Sequence, residues 1–207
     1  MKLYLSSYKL GSMADQLKRM APKRTIGYIA NALDFTNVNK EKRALHIQSD
    51  IESLRSLSFE VTEIDLREYF GRKDDLRQRI DELGAIFVSG GNVFVLRQAM
   101  QLSGLDALLL EKREDDGFLY AGYSAAGCVL APSLKAYAIV DKPETPYPAL
   151  SEVIWDGLSI VDFAFMPHWN SDHPESADID EEIAFCKLHG LAYLPLKDGD
   201  VHMVERA

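Results

Sequence analysis

Short apolar runs alternate along the chain with longer segments in which apolar residues recur at helical spacing. The short runs predict strands, and the run at 85–89 is apolar almost throughout, as in strands that are covered on both faces. The strands predicted are 2–7, 25–30, 59–64, 85–89, 118–122, 136–140, 163–166, 191–196 and 201–204, of which the last two are expected to form a closing hairpin. The helices predicted are 12–20, 40–57, 74–83, 93–101, 105–114, 125–130 and 179–188.

This alternation of strands and helices predicts an α/β fold, in which a mostly parallel central sheet lies between two layers of helices as a three-layer α/β/α sandwich. A chain of 207 residues can bury a sufficient core without disulfides or metals, so one domain, 1–207, is expected. In such sheets ligands bind beyond the carboxyl ends of the strands. Residues that directly follow a strand are therefore the first candidates for chemistry.

The acidic charge balance of the chain makes some classes of binding partner unfavourable. The chain carries 32 acidic and 23 basic residues, a formal net charge of −9, which disfavours binding to nucleic acid or to an anionic membrane. No apolar run approaches the ~18 residues of a membrane span, and no signal-peptide pattern is visible. The two cysteines, Cys128 and Cys186, have no metal-ligand spacing and fit a reducing compartment. A cytoplasmic protein, monomeric or homodimeric, is expected.

A serine follows the predicted strand 118–122, in the sequence Gly-Tyr-Ser-Ala-Ala-Gly at 122–127. A sharp turn from strand to helix lifts such a hydroxyl clear of the sheet, so Ser124 is a candidate nucleophile. The usual pattern is G-x-S-x-G, and here Ala126 takes the place of the second glycine. The alternative is that Ser124 only caps the helix that follows it.

Two glycines follow the predicted strand 85–89, in the sequence Ser-Gly-Gly-Asn. Gly90, Gly91 and Asn92 let the backbone approach a ligand closely and present N–H donors to it. The N–H groups of Gly91 and Ala125 would then form an oxyanion hole. The alternative is a tight turn into the next helix.

His168 ends the predicted strand 163–166 and is the candidate general base, since a base must reach the hydroxyl of Ser124. The other histidines lie on predicted helix faces, in loops or near the C-terminus. Two aspartates could orient His168 and fix its tautomer. Asp141 ends the predicted strand 136–140, and Asp198 lies at the tip of the predicted hairpin, where an aspartate before glycine is also a common turn residue. Both aspartates remain candidates at this point.

Taken together, these motifs resemble the peptidase E family of serine peptidases, which are aspartyl dipeptidases. The resemblance covers nearly the whole chain and rests on the order of its motifs, found at 3–7, 87–96, 122–127, 157–163 and 167–168. It implies a flavodoxin-like fold of the kind shared with class I glutamine amidotransferases. The family has Ser-Ala-Gly-Ala at the nucleophile, where this chain has Ser-Ala-Ala-Gly.

The resemblance also implies roles for individual residues. Ser124 corresponds to the family nucleophile, His168 to its base, and Gly91 and Ala125 to its oxyanion donors. Asp198 falls where family members carry a carboxylate near the C-terminus, and Asp141 falls near a second family acid. No metal or organic cofactor is implied.

The implied function is hydrolysis of small peptides, above all dipeptides with an N-terminal aspartate, through an acyl-enzyme. An aspartyl side chain needs a cation, for which Lys135, Lys142 and Arg97 are candidates, whereas the segment 171–182 holds six acids and no lysine or arginine. An acidic rim of this kind opposes an acidic substrate. The alternatives are a cyanophycinase-like hydrolase of another aspartyl bond and a catalytically silent binding module on the same scaffold.

Overall fold

The central feature of the fold is a six-stranded sheet. The computed structural model describes residues 1–35 and 39–205. The described residues form eight strands, of which six belong to this sheet. They are β1 (Lys2–Ser6), β2 (Thr25–Ile29), β3 (Glu60–Glu63), β4 (Ala85–Val88), β5 (Leu119–Tyr123), β6 (Ala164–Met166), β7 (Tyr193–Pro195) and β8 (Val201–Val204). The sheet order is β3-β2-β4-β5-β1-β8, and only β8 runs antiparallel to its neighbour. The pair β6 and β7 forms a second, parallel sheet.

Helices follow most of the strands. They are α1 (Ala14–Met20), α2 (Lys40–Ser56), α3 (Lys73–Leu83), α4 (Val93–Ser103), α5 (Leu105–Glu111), α6 (Ala125–Cys128) and α7 (Ser176–Leu188). Within the described ranges no single helix is long and apolar enough to cross a bilayer. The helix α4 and the segment after it reach the required length and apolar composition only when taken together, and they are bent by 80° relative to each other.

The two faces of the sheet bury separate apolar clusters, because successive side chains of a strand point to opposite faces. On β1, Tyr4 joins the cluster covered by α1 and α2, which includes Leu17 and Leu54. Its neighbours Leu3 and Leu5 join the cluster covered by the other helices. The predicted α/β fold, with helices on both sides of a mostly parallel sheet, is confirmed.

Two predicted elements are wrong. The segment 136–140 is not a strand, because Lys135–Ile139 forms a 3₁₀ helix that buries Tyr137. The segments 191–196 and 201–204 do not form a hairpin, because β7 pairs with β6 and β8 pairs with β1. Periodicity cannot separate a short apolar strand from a buried helical turn, and it does not show which strands pair. The second correction affects the site, since the ends of the parallel strands β6 and β7 lie side by side.

Candidate active site

Ser124 occupies a strained turn between β5 and α6. Its φ of 50° and ψ of −113° place a non-glycine residue in the left-handed half of backbone space, which is costly and concentrates at functional sites. Its N–H donates to the carbonyl oxygen of Ser6 at 3.2 Å, which ties the turn to the end of β1. The side chain is half-buried and makes no hydrogen bond to another described residue. Its hydroxyl is therefore available to a ligand.

The alanine that departs from the usual nucleophile motif is accommodated by a nearby glycine. Ala126 is fully buried. A Cβ added at Gly122 would lie 2.5 Å from the Cβ of Ala126 and 2.3 Å from the carbonyl oxygen of Val88. Because Gly122 has no side chain, the methyl group of Ala126 fits under the turn, and the strand-to-helix turn at Ser124 is kept.

The loop after β4 lies against the turn at Ser124. A Cβ added at Gly90 would stand 2.7 Å from the ring of Tyr123 and 3.1 Å from the Cβ of Ser124. Gly91 has a φ of 138°, and a Cβ there would lie 2.4 Å from the carbonyl oxygen of Ala32. Only glycine fits this close approach. The loop therefore brings the N–H of Gly91 to the same edge of the sheet as Ser124.

Asn92 and Ala125 begin the helices that follow these two turns. The Oδ1 of Asn92 accepts hydrogen bonds from the N–H groups of Phe94 and Val95, at 2.9 and 3.0 Å, so this side chain caps α4. The N–H groups of Gly91 and Ala125 make no hydrogen bond to another described residue. They are thus free to donate to a ligand oxygen, whereas the Asn92 side chain is committed to the helix.

His168 is held at the ends of β6 and β7. Its Nδ1 lies 2.7 Å from Oδ1 of Asp198, which follows β7. Its backbone N–H donates to Oγ of Ser7 at 2.8 Å, and that hydroxyl donates to Asp198 at 2.9 Å. Ser6 is bonded to the turn at Ser124, and its neighbour Ser7 is bonded to His168 and Asp198. Two adjacent serines at the end of β1 therefore connect the serine turn with the histidine and its aspartate.

Two rings flank the imidazole of His168. The ring of His173 stacks on it at a centroid distance of 3.7 Å and an interplanar angle of 9°. Tyr8 lies edge-on to His168 at 5.8 Å and to Tyr123, the neighbour of Ser124, at 6.0 Å. Burial lowers the pKa of His168 and nearby His173 lowers it further, whereas the hydrogen bond to Asp198 opposes the shift. A lowered pKa keeps this histidine neutral and able to act as a base.

Asp141, the other candidate for the orienting acid, lies in a different place. Its Oδ2 accepts the N–H of Val93 at 2.7 Å, at the start of α4. It lines a small pocket beside Ser124 together with Glu175 and Glu182. Burial raises the pKa of Asp141 to about 7 and that of Glu182 to about 9, the latter with a further contribution from Asp141 and Glu175.

Sequence reasoning missed several residues of the site. The rule that directs attention to strand ends could have found Ser7, which directly follows β1. No comparable signal distinguishes His173, or marks Glu182 among the six acids of 171–182.

One group of side chains comes close enough to be considered as a metal site within the described ranges. Ligand atoms of His168, His173 and Glu175 lie within 4.8 Å of one another. The two imidazoles are stacked with nearly parallel planes, however, so the lone pairs of their nitrogens do not converge on one point. This arrangement suits a base supported by a neighbouring ring rather than a metal centre.

Solved structures support the fold. A 1.5 Å crystal structure of a candidate peptidase E protein from Listeria monocytogenes superposes with a TM-score of 0.76 at 21% identity, covering 100% of this chain and 98% of that one. A peptidase from an acI-B1 actinobacterium superposes with a TM-score of 0.57 at 16% identity, covering 100% and 88%. These likenesses confirm the peptidase E type of fold.

Curated sequences extend the comparison. An uncharacterized peptidase of Listeria monocytogenes is 30% identical over 63% of this chain and 61% of its own length. A peptidase E of Streptomyces coelicolor is 34% identical over 47% and 37%. A probable alpha-aspartyl dipeptidase of Drosophila melanogaster is 30% identical over 61% and 52%. Each of these alignments thus spans less than two thirds of the relative. The model of peptidase family S51 matches residues 8–203, nearly the whole chain, and the protein belongs to this family.

Proposed function

We propose that this protein is a serine peptidase that hydrolyses small peptides through an acyl-enzyme. The observation that carries the proposal is the 2.7 Å contact between His168 and Asp198, at the same edge of the fold as the strained turn of Ser124. A carboxylate accepts a hydrogen bond from the N–H at Nδ1, which leaves Nε2 of His168 unprotonated and able to act as a base. Membership of a peptidase family supports the same chemistry.

In the proposed reaction, Oγ of Ser124 attacks the carbonyl carbon of the scissile bond while His168 takes its proton. The negative charge that forms on the substrate oxygen is stabilised by the N–H groups of Gly91 and Ala125. His168 then gives the proton to the leaving amine, and water, activated by the same histidine, releases the acid product from Ser124. Every proton in this cycle moves through one imidazole.

Short peptides with a free N-terminus are the proposed substrates. The relatives named peptidase E and probable alpha-aspartyl dipeptidase support a small peptide substrate. The aspartyl preference that the resemblance implies would need a cation near the first side chain. Of the three candidates, Lys135 is exposed on the 3₁₀ helix Lys135–Ile139, and Arg97 pairs with Asp106 at 3.0 Å. Lys142 lines a cleft beside the site together with four acids.

The test compares wild type with Ser124→Ala on a panel of Ala-X, Gly-X, Lys-X and Asp-X dipeptides. Loss of the nucleophile is expected to lower kcat by about 10⁴-fold or more. A serine-directed fluorophosphonate should label wild type at Ser124 and leave the variant unlabelled. Undiminished turnover in Ser124→Ala, or no labelling of Ser124 in a folded wild-type protein, would reject the proposal.

A further inference from the structure

The pocket beside Ser124 is small and lined by carboxyl groups. Asp141, Glu175 and Glu182 contribute acids to it, and Tyr137 contributes a phenol. Its volume is about 20 Å³, which is room for about one water molecule or one ammonium group. No lysine or arginine lies among the residues that line it in the described ranges. We call this cavity the acidic pocket.

Two buried polar groups in the acidic pocket lack a partner. Tyr137 is 2% exposed, and its hydroxyl makes no hydrogen bond of ordinary geometry with the described residues, although the Phe165 N–H and the Cys128 thiol both lie close to it. Glu182 is also 2% exposed and forms no hydrogen bond or ion pair with another described residue. Buried polar groups are nearly always hydrogen-bonded, and leaving one unpaired is costly, which applies here to the hydroxyl of Tyr137. Both groups can accept hydrogen bonds from a ligand that enters the pocket.

The electrostatics of the pocket favour a cation. Burial comes first among the causes that raise the pKa of Glu182, and the carboxylates of Asp141 and Glu175 raise it further. The pocket thus holds more acid groups than it can keep ionised. A positive group would relieve this repulsion and let the carboxyls ionise, whereas a second anion would increase it.

The adjoining cleft is acidic as well. It has a volume of about 310 Å³ and shares Gly91, Asp141 and Glu175 with the acidic pocket. Asp34 and Glu144 also line it, and Lys142 is its one cation among the described lining residues. Asp34 is compensated by Arg43 at 2.9 Å and by Arg67 at 3.6 Å. Among the other lining residues, three acids stand against Lys142, so an acidic side chain placed here would still meet more negative groups than positive ones.

We propose that the acidic pocket binds the protonated α-amino group of the peptide, and that the enzyme therefore prefers an uncharged first residue to an aspartate. This inference rests on the proposed function, since Ser124 lines the pocket and marks where the scissile carbonyl would lie. An ammonium group has three donors, which match acceptors on Asp141, Glu182 and Tyr137. The α-amino group of a first residue is two bonds from its carbonyl carbon, so a pocket next to the nucleophile is within its reach.

The first experiment measures binding without turnover. Calorimetric titration of the Ser124→Ala protein uses three probes: Ala-Ala, Asp-Ala and N-acetyl-Ala-Ala. We expect Ala-Ala to bind more tightly than either other peptide by about tenfold or more, since a buried charge pair is lost or opposed in both. Tighter binding of Asp-Ala, or equal binding of the acetylated peptide, would overturn the inference. Because this protein lacks the nucleophile, the result does not depend on whether Ser124 is catalytic.

The second experiment tests the pocket itself. Glu182→Gln, made in both the wild-type and the Ser124→Ala protein, should weaken binding of Ala-Ala and narrow its advantage over Asp-Ala. Glu181→Gln is the matched control, because Glu181 is the exposed neighbour on α7 and should leave binding and turnover unchanged. An Ala-Ala to Asp-Ala ratio that is the same in Glu182→Gln and in its parent would reject the acidic pocket as the determinant. Failure of the proposed function would appear separately, as turnover that survives Ser124→Ala.

Discussion

The imidazole of His168 contacts a carboxylate at its edge and another imidazole on its face. Asp198→Asn is expected to lower kcat by about 10³- to 10⁴-fold, because an amide at this position can donate to Nδ1 and favour the wrong tautomer. Asp141→Asn is the matched comparison, since that carboxylate is bonded to the N–H of Val93 instead. Its effect should fall on KM rather than on kcat. Steady-state kinetics on one dipeptide separates the two, and a larger loss of kcat in Asp141→Asn would reverse the assignment.

His173 affects the same base through its charge. A general base works when it is neutral, so activity is retained above the pKa of His168 and lost as pH falls through it. His173 lowers that pKa, second to burial among the lowering effects. His173→Phe keeps a flat ring against His168 and removes the charge, so the acid limb of the kcat profile should move to higher pH. His189→Gln, at an exposed position, is the control and should leave the limb in place. If the acid limb of the kcat–pH profile stays at the same pH in His173→Phe, the ring at this position packs against His168 without affecting its pKa.

At the level of elements, the site depends on how the ends of three strands are joined. Ser7, fully buried after β1, accepts the N–H of His168 and donates to Asp198. Ser7→Ala leaves that N–H buried without its partner, which costs about 1–3 kcal/mol of unfolding free energy. We also expect kcat to fall, because both ends of the β6–β7 pair lose their tie to β1. Urea denaturation and kinetics check this, with Ser49→Ala, at an exposed position of α2, as control. Unaltered stability and kcat in Ser7→Ala would mean that β6 and β7 hold the site by themselves.

The same elements show how far the sequence could predict this site. Continuous apolar runs, such as 85–89, predicted the parallel sheet, and the rule about strand ends led to Ser124 and His168. The sequence alone does not decide between Asp141 and Asp198 as the acid that contacts His168, because that contact depends on β7 pairing with β6 rather than with β8. That pairing joins residues far apart in the chain, and local periodicity carries no information about it.

For the molecule as a whole, the dependence of stability on pH reflects whether a buried carboxyl group has hydrogen-bond or ion-pair partners. Asp50 is 3% exposed, but Lys9 lies 2.6 Å from it and Tyr28 and Tyr123 donate to it. Glu182 is equally buried and has no such partners among the described residues. A buried carboxyl without compensating donors resists losing its proton. The sequence could not separate the two, because both are acids on a helix.

This difference predicts that stability falls as the solution becomes alkaline. Glu182 has an ordinary pKa of 4.5 and one of about 9 when folded, so between these values the folded state holds a proton that the unfolded state has released. The unfolding free energy therefore decreases as pH rises through this window. Glu182→Gln removes the titration, so its Tm should fall less than that of wild type between pH 6 and 8.5. For a chain of this size, 1 kcal/mol corresponds to about 2–4 °C. Glu181→Gln should follow wild type, which removes the general effect of net charge. If Tm fell equally with pH in all three proteins, Glu182 would already be ionised in the folded state. The electrostatic reason for the acidic pocket to bind a cation would then be removed.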